Sequence, residues 1–188
     1  RDPKIRTAAL RMAGSAHIQL HQERLAVDAY EALMQSVPPE SEERAGYMLL
    51  LGELYHGLQA YRKVIELCEQ ILSLDLPDVK TEEQPYYVKE KAYYLLGDAY
   101  SKLEEPERTI AIYKTAFERY PDSYYSASML FTVGMLRFQQ GEYVEAVDVF
   151  ERFVQAFPED PNRSFAEYYM GYAFFNASDF ERAAVILE

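Results

Sequence analysis

The chain has 188 residues, 49% of them hydrophobic, which is enough for one large or two small packed domains. Its 31 acidic and 19 basic residues give a formal charge of -12, so it lacks the basic surface that nucleic-acid binding requires. No apolar run approaches the ~18 residues that cross a membrane. The charge favours protein partners of apolar or basic character. We interpret most of the acidic surplus as a solvated face, with a patch for a basic partner as the alternative.

Five helix-like apolar segments follow one another along the chain, each with a glycine near its centre. The glycines are Gly14, Gly52, Gly97, Gly134 and Gly171, at spacings of 38, 45, 37 and 37 residues. Alanines recur twelve positions later at Ala26, Ala146 and Ala183, and prolines twenty-four positions later at Pro38, Pro121 and Pro158. Agreement at several separated offsets indicates an internal repeat, which is typical of solenoid proteins.

Each repeat predicts two helices joined by a short turn, with the glycine in the first helix. Turns are expected at 104–106, 140–142 and 177–179. Pro106 suits the first turn of a second helix, where a missing N–H has no intrahelical partner to lose. The wider spacing between Gly52 and Gly97 predicts a charged loop within 76–91. No alternating strand pattern of useful length is present, so the predicted fold class is all-α.

The segment AYYLLGDAYSKLEEPERTIAIYKTAFERYPDS, residues 92–123, resembles the tetratricopeptide repeat family, with Gly97, Tyr100, Tyr113, Ala116 and Pro121 at the family's signature positions. The resemblance implies a right-handed α-solenoid of about five helix-turn-helix units with a concave groove. We expect a single solenoid domain over 1–188. Its units are expected at approximately 7–44, 45–89, 90–126, 127–163 and 164–188, the last of them truncated.

The repeat gives a reason for a glycine in a buried helix. Glycine in a helix interior costs about 1 kcal/mol relative to alanine, but two helices that cross closely need a small residue at the contact. We expect Ala146, on the following helix, to be the small residue that opposes Gly134. His17 and Arg137 stand where the family usually has tyrosine, and Glu167 where it usually has a large apolar residue, so looser packing is expected there.

The stretch ERYPDSYYSASMLFTVGMLRFQQGEYVEAVDVFERFVQAFPEDP is similar to bacterial cell-envelope members of the family, of the BamD and CpoB (YbgF) type. This similarity favours a periplasmic or cell-envelope location, with the cytoplasm as the alternative. The chain starts at Arg1 and stops at Glu188 inside a second helix, so we expect a piece of a longer protein. The truncated last unit also predicts end-to-end contact between copies.

No motif with catalytic spacing is present, so we expect no enzymatic activity and no cofactor. The histidines are His17, His21 and His56. The first two could share a helix face, but no third ligand for zinc is evident near them, and we expect no metal site. Cys68 is the only cysteine and falls on a core position of the repeat, which favours a buried, inert thiol over a nucleophile.

The family resemblance assigns the groove to the first helix of each unit, at fixed offsets from the glycine. These positions are mixed and polar in the first three units, where they include Tyr94 and Asp98. In the last two units they are aromatic and apolar, and they include Phe131, Met135, Phe138, Phe165, Tyr168, Tyr172 and Phe175. We expect Phe131, Met135 and Phe138 to face away from their helix pair. A solvent-facing groove this apolar predicts a binding site for an extended or helical apolar segment.

The apolar positions are also consistent with three arrangements that need no separate partner: the rings could pack against one another, a further C-terminal unit could cover them, or two copies could bury them together. For function, we expect a non-catalytic interaction scaffold within a bacterial envelope or secretion assembly. The alternatives are a regulatory domain of a larger cytoplasmic protein, fused to an enzyme or a transcription regulator, and an accessory protein of polysaccharide or lipoprotein export.

Overall fold

The computed structural model describes residues 3–75 and 88–188. In these ranges the chain forms ten α-helices and no β-strand, which confirms the all-α prediction. Most of the charged loop predicted within 76–91 lies outside the described residues. The chain divides into two compact units, residues 1–105 and 106–188.

The first unit contains five helices in the described part of the chain. They are α1 (Pro3–Gln19), α2 (Glu23–Met34), α3 (Glu42–Gly57), α4 (Tyr61–Ser73) and α5 (Val88–Lys102). Each helix packs against the next, and α3 also contacts α5. Leu33, Met48 and Ile71 are fully buried and form part of the core between these helices. Ser41 caps α3, since its hydroxyl accepts a hydrogen bond of 3.2 Å from the Arg44 N–H.

The second unit contains the remaining helices. They are α6 (Pro106–Arg119), α7 (Ser126–Gln139), α8 (Tyr143–Ala156), α9 (Arg163–Asn176) and α10 (Phe180–Leu187). Again each helix packs against the next, and α7 also contacts α9. The fully buried rings of Phe150 and Phe153 lie at the centre of its core. Helix α6 begins at Pro106 as predicted, and Pro121 and Pro158 lie just past the ends of α6 and α8.

The first helix of every pair ends in the same left-handed turn. The residues with positive φ are His21 (54°), Gln59 (58°), Glu104 (58°), Gly141 (78°) and Ser178 (64°), each seven positions after a repeat glycine. At the end of α3, the Gln59 N–H donates to the His56 carbonyl at 2.9 Å and the Ala60 N–H to the Tyr55 carbonyl at 2.8 Å. This pattern is a Schellman motif, which satisfies the last carbonyls of the helix. Sequence analysis missed it because only Gly141 has the residue type that signals it.

We expect Gly141→Ala to lower the free energy of unfolding by about 1 kcal/mol, because a side chain disfavours left-handed backbone. A Cβ at this position would have no neighbour within 4 Å, so the effect is conformational and not steric. Gln59→Gly is the control of opposite sign and should stabilise its turn. Urea denaturation measures both. Equal stability of Gly141→Ala and the wild type would contradict the assignment.

Three of the repeat glycines, Gly14, Gly134 and Gly171, lie against large side chains on the second helix of their own pair. A Cβ built on Gly14 would lie 2.6 Å from Cε2 of Tyr30, and one on Gly134 would lie 2.6 Å from Cε1 of Phe150. Ala146 was expected to oppose Gly134; the atoms nearest to a Cβ on Gly134 belong to the Phe150 ring. Ala146 is fully buried, but the Phe150 ring fills the space beside the glycine. A ring can approach the helix this closely only where no Cβ is present.

Candidate docking face

Helix α9 exposes four aromatic side chains. Phe165 is 61% exposed, Tyr168 53%, Tyr172 46% and Phe175 54%. Their spacing of three, four and three residues places them on one side of the helix. The other side of α9 is buried in the core of the second unit, through Ala166, Met170, Ala173 and Phe174. We call the four exposed residues the aromatic face.

The rings of the aromatic face support one another. Tyr168 and Tyr172 stack with centroids 6.0 Å apart, and Tyr172 and Phe175 stack at 6.4 Å. Phe180, at the start of α10, meets Phe175 edge-on at 5.4 Å. Such contacts restrict the rings before any partner arrives, which lowers the entropy that binding must remove.

The stripe predicted on α7 is less exposed than the aromatic face. Phe131, Met135 and Phe138 are half-buried and pack against the core of the second unit. Phe131 lies 5.7 Å from the ring of Phe153, and Phe138 lies 5.5 Å from that of Tyr143, both between ring centroids. Since both of these rings belong to α8, the expectation that the stripe faces away from its helix pair is wrong for Phe131 and Phe138.

Phe138 connects the core with the aromatic face. Its ring centroid lies 5.3 Å from that of Tyr169 and 5.9 Å from that of Tyr172. Phe138 therefore packs against both the core of the second unit and Tyr172 of the aromatic face, and it is itself half-buried. Ring-on-ring packing, one of the alternatives drawn from the sequence, half-buries the α7 stripe, whereas the α9 rings also contact one another and yet remain exposed.

The matching positions in the first unit carry polar side chains that contact one another between helices. Glu53 on α3 pairs with Lys91 on α5, and His56 on α3 contacts the carboxylate of Asp98 on α5. Tyr94, the other residue predicted for the groove here, is half-buried. These side chains join consecutive first helices, so their polar groups are already engaged within the unit.

Arginines near the aromatic face are paired with carboxylates. The Arg163 Nε donates to Glu167 at 2.9 Å, and Arg182 pairs with Asp179. The hydrogen bond from Arg182 holds the pKa of the Asp179 carboxyl below its ordinary value. Residues 106–188 contain 13 acidic and 7 basic residues. The unit that carries the aromatic face therefore has a net charge of -6 (7 − 13), which favours cationic partners over anionic ones.

The Cys68 thiol belongs to the core of the first unit. Its side chain is 1% exposed, and burial, with a smaller contribution from the Glu69 charge, raises its pKa to about 12. The thiolate is the reactive form of cysteine, so this environment suppresses nucleophilic chemistry.

We expect the Cys68 thiol of the native protein to react negligibly with Ellman's reagent at pH 8. After unfolding in guanidinium chloride, one thiol per chain should react at once, since the pKa returns to its ordinary value. The absorbance of the released thiolate measures both. Rapid stoichiometric reaction of the native protein would contradict the buried placement.

In residues 3–75 and 88–188, no group of three or more His, Cys, Asp or Glu side chains is placed to hold a metal ion. His17 has its Nδ1 2.8 Å from the amide oxygen of Gln22.

Among the helices described, none combines the length and the apolar character needed to cross a membrane.

A protein-family model matches part of the chain. Residues 94–161 match the family model described as tetratricopeptide repeat. No curated protein matches the chain in sequence. Several solved structures share its fold at low sequence identity, which establishes the architecture and leaves function open.

Three of these solved structures have TM-scores between 0.67 and 0.75 against this chain. The MamA protein is 19% identical with a TM-score of 0.75, covering 97% of this chain and 88% of MamA. YrrB, described as a TPR protein with an unusual peptide-binding site, is 18% identical with a TM-score of 0.67, covering 93% of this chain and 79% of YrrB. A Podosopora anserina putative kinesin light chain with nearly identical TPR-like repeats is 15% identical with a TM-score of 0.69, covering 100% and 93%.

Proposed function

We propose that this chain, whose residues 94–161 match the tetratricopeptide repeat family model, is a non-catalytic scaffold that docks a protein or peptide partner on the aromatic face of its second unit. The observation that carries this proposal is the exposure of four aromatic rings in one row on α9. Large exposed apolar patches on folded proteins mark interaction sites. Aromatic side chains also dominate the energetics of protein interfaces.

The geometry of the aromatic face selects the kind of partner. From Phe165 to Phe175 the row spans about 15 Å along the helix axis, at 1.5 Å per residue. A partner helix with apolar residues three and four apart, or a strand with alternate apolar residues, could cover this length. The acidic surplus of residues 106–188 favours a segment that also carries lysine or arginine. The exposed tyrosine rings can accept such cations.

The setting of the scaffold is the finer part of the proposal. Similarity of the segment 118–161 to envelope proteins of the family supports a bacterial envelope or secretion assembly, with one solenoid domain over 1–188. The alternative is a regulatory tetratricopeptide domain of a larger cytoplasmic protein. Fractionation of cells that produce the full-length protein distinguishes the two: recovery with the periplasm or membranes supports the envelope, and recovery with the cytosol supports the alternative.

Selection of displayed random peptides on the purified protein tests the docking function. We expect enriched peptides to combine apolar residues at helical or alternating spacing with at least one lysine or arginine. A parallel selection on a variant with Tyr168→Ser and Phe175→Ser should lose these sequences. Enrichment of the same peptides on both proteins would overturn the assignment to α9, and failure to enrich any sequence over a blank surface would overturn the docking function itself.

A further inference from the structure

A cavity of about 240 Å³ opens between α6, α7 and α8 of the second unit. Its floor consists of buried side chains: Tyr113, Met129, Leu130 and Val133. Half-buried Phe117 and Val149 line it as well, and the exposed side chains of Lys114, Glu118 and Arg152 complete the lining. The cavity shares no residue with the aromatic face on α9, so the function of one does not account for the other.

The charged part of the cavity is unusual for this unit. Arg152 holds its guanidinium 5.0 Å from the centroid of the Phe117 ring. Three other arginines of the unit, Arg137, Arg163 and Arg182, pair with carboxylates. Arg152 and Lys114, in contrast, make no ion pair with any carboxylate of the described residues. Two cations, neither of them in an ion pair with a described carboxylate, therefore lie beside the apolar floor.

We infer that this cavity binds a small apolar carboxylate, with the apolar group on the floor and the carboxylate between Arg152 and Lys114. Ligand pockets for drug-sized molecules begin at about 300 Å³, so this smaller cavity suits a group about the size of one amino-acid side chain. A guanidinium stacked on a ring keeps its N–H edge available, and that edge matches a carboxylate with two parallel hydrogen bonds.

Glu118 restricts the negative charge that a ligand of this cavity can carry. Its carboxylate lines the same cavity and has no basic partner within ion-pair distance among the described residues. A like charge in the mouth repels a second acidic group, so the cavity should prefer one carboxylate to two. The same chemistry is present in a free aromatic or aliphatic acid and in the C-terminal residue of a peptide with an apolar side chain.

Isothermal titration calorimetry with 4-phenylbutyrate and its uncharged amide tests the inference. We expect the acid to bind about tenfold more tightly than the amide, because hydrogen bonds to a charged group are the strong ones. N-acetylphenylalanine and a peptide ending in phenylalanine form the second arm: tighter binding of the peptide identifies a C-terminal residue as the ligand, and tighter binding of the free acids identifies a small molecule.

Charge variants at the mouth supply controls of opposite sign. Arg152→Gln and Lys114→Gln should each weaken binding of 4-phenylbutyrate, whereas Glu118→Gln should strengthen it. All three side chains are exposed, so circular dichroism should show an unchanged helix content. Equal affinity for acid and amide would overturn the inference, as would equal affinity of the wild type and Arg152→Gln. Absence of saturable binding at millimolar concentrations would overturn it as well.

Discussion

Gly134→Ala is expected to lower the free energy of unfolding by about 1–3 kcal/mol, although alanine favours helix over glycine. The added methyl group would lie 2.6, 2.8 and 2.9 Å from three carbons of the Phe150 ring. That ring is fully buried, with Phe131 and Tyr169 beside it. It cannot move without displacing its neighbours, so either the ring or the helix must shift.

Gly52→Ala is the matched control, because it places the same change at the same repeat position. The residue sixteen positions later is Cys68, where the other pair has Phe150, and the added methyl group would meet only Leu95, at 3.7 Å. This is ordinary van der Waals contact, so stability should stay equal or rise by up to about 1 kcal/mol through helix propensity. Chemical denaturation measures both variants. Equal effects of the two substitutions would contradict the packing of Gly134 against Phe150.

Combined Tyr168→Ser and Phe175→Ser substitutions are expected to weaken binding of a selected peptide by tenfold or more. Truncating a central aromatic side chain of an interface costs at least about 2 kcal/mol where it is a hot spot. Both side chains are about half exposed in the free protein, so their loss should change the thermal midpoint little. Fluorescence anisotropy of the labelled peptide measures the dissociation constant.

Val144→Ser is the control for this pair. Val144 is 65% exposed near the start of α8 and lies outside the aromatic face, so its replacement should leave the dissociation constant unchanged.

Sedimentation velocity separates peptide docking from burial between two copies. A wild type that dimerises through α9 would become monomeric in the double variant, and its peptide binding would then compete with dimerisation. An unchanged dissociation constant in the double variant would remove the aromatic face as the docking site.

Local signals in the sequence were sufficient for the order of the helices. Periodic apolar residues predicted the helix pairs, and glycines, together with Pro106, Pro121 and Pro158, marked their centres and ends. The approach of the Phe150 ring to Gly134 was not predicted, because the sequence offset identifies which helices cross but not which side chain fills the gap. The left-handed turns were missed because His21 and Ser178 give no glycine signal there.

The sequence identified candidate positions for the site, but it did not predict how exposed each side chain is. The position three residues before the glycine selected Phe131 on α7 and Tyr168 on α9, yet Phe131 packs on rings of α8 and Tyr168 is 53% exposed. Whether a neighbouring helix leans over a ring depends on crossing geometry, which periodicity does not contain. The sequence could not reveal the contacts of Glu53 and His56 with α5 either, because they join residues about forty positions apart.

Amide chemical-shift mapping of the labelled protein with a selected peptide tests the central claim most directly. Docking on the aromatic face should shift the amides of α9, with smaller changes in the C-terminal half of α7 near Phe138. The amide resonances of the first unit and of the exposed side of α8 should keep their chemical shifts. Saturable shifts confined to residues outside α9 and the end of α7 would contradict docking on the aromatic face.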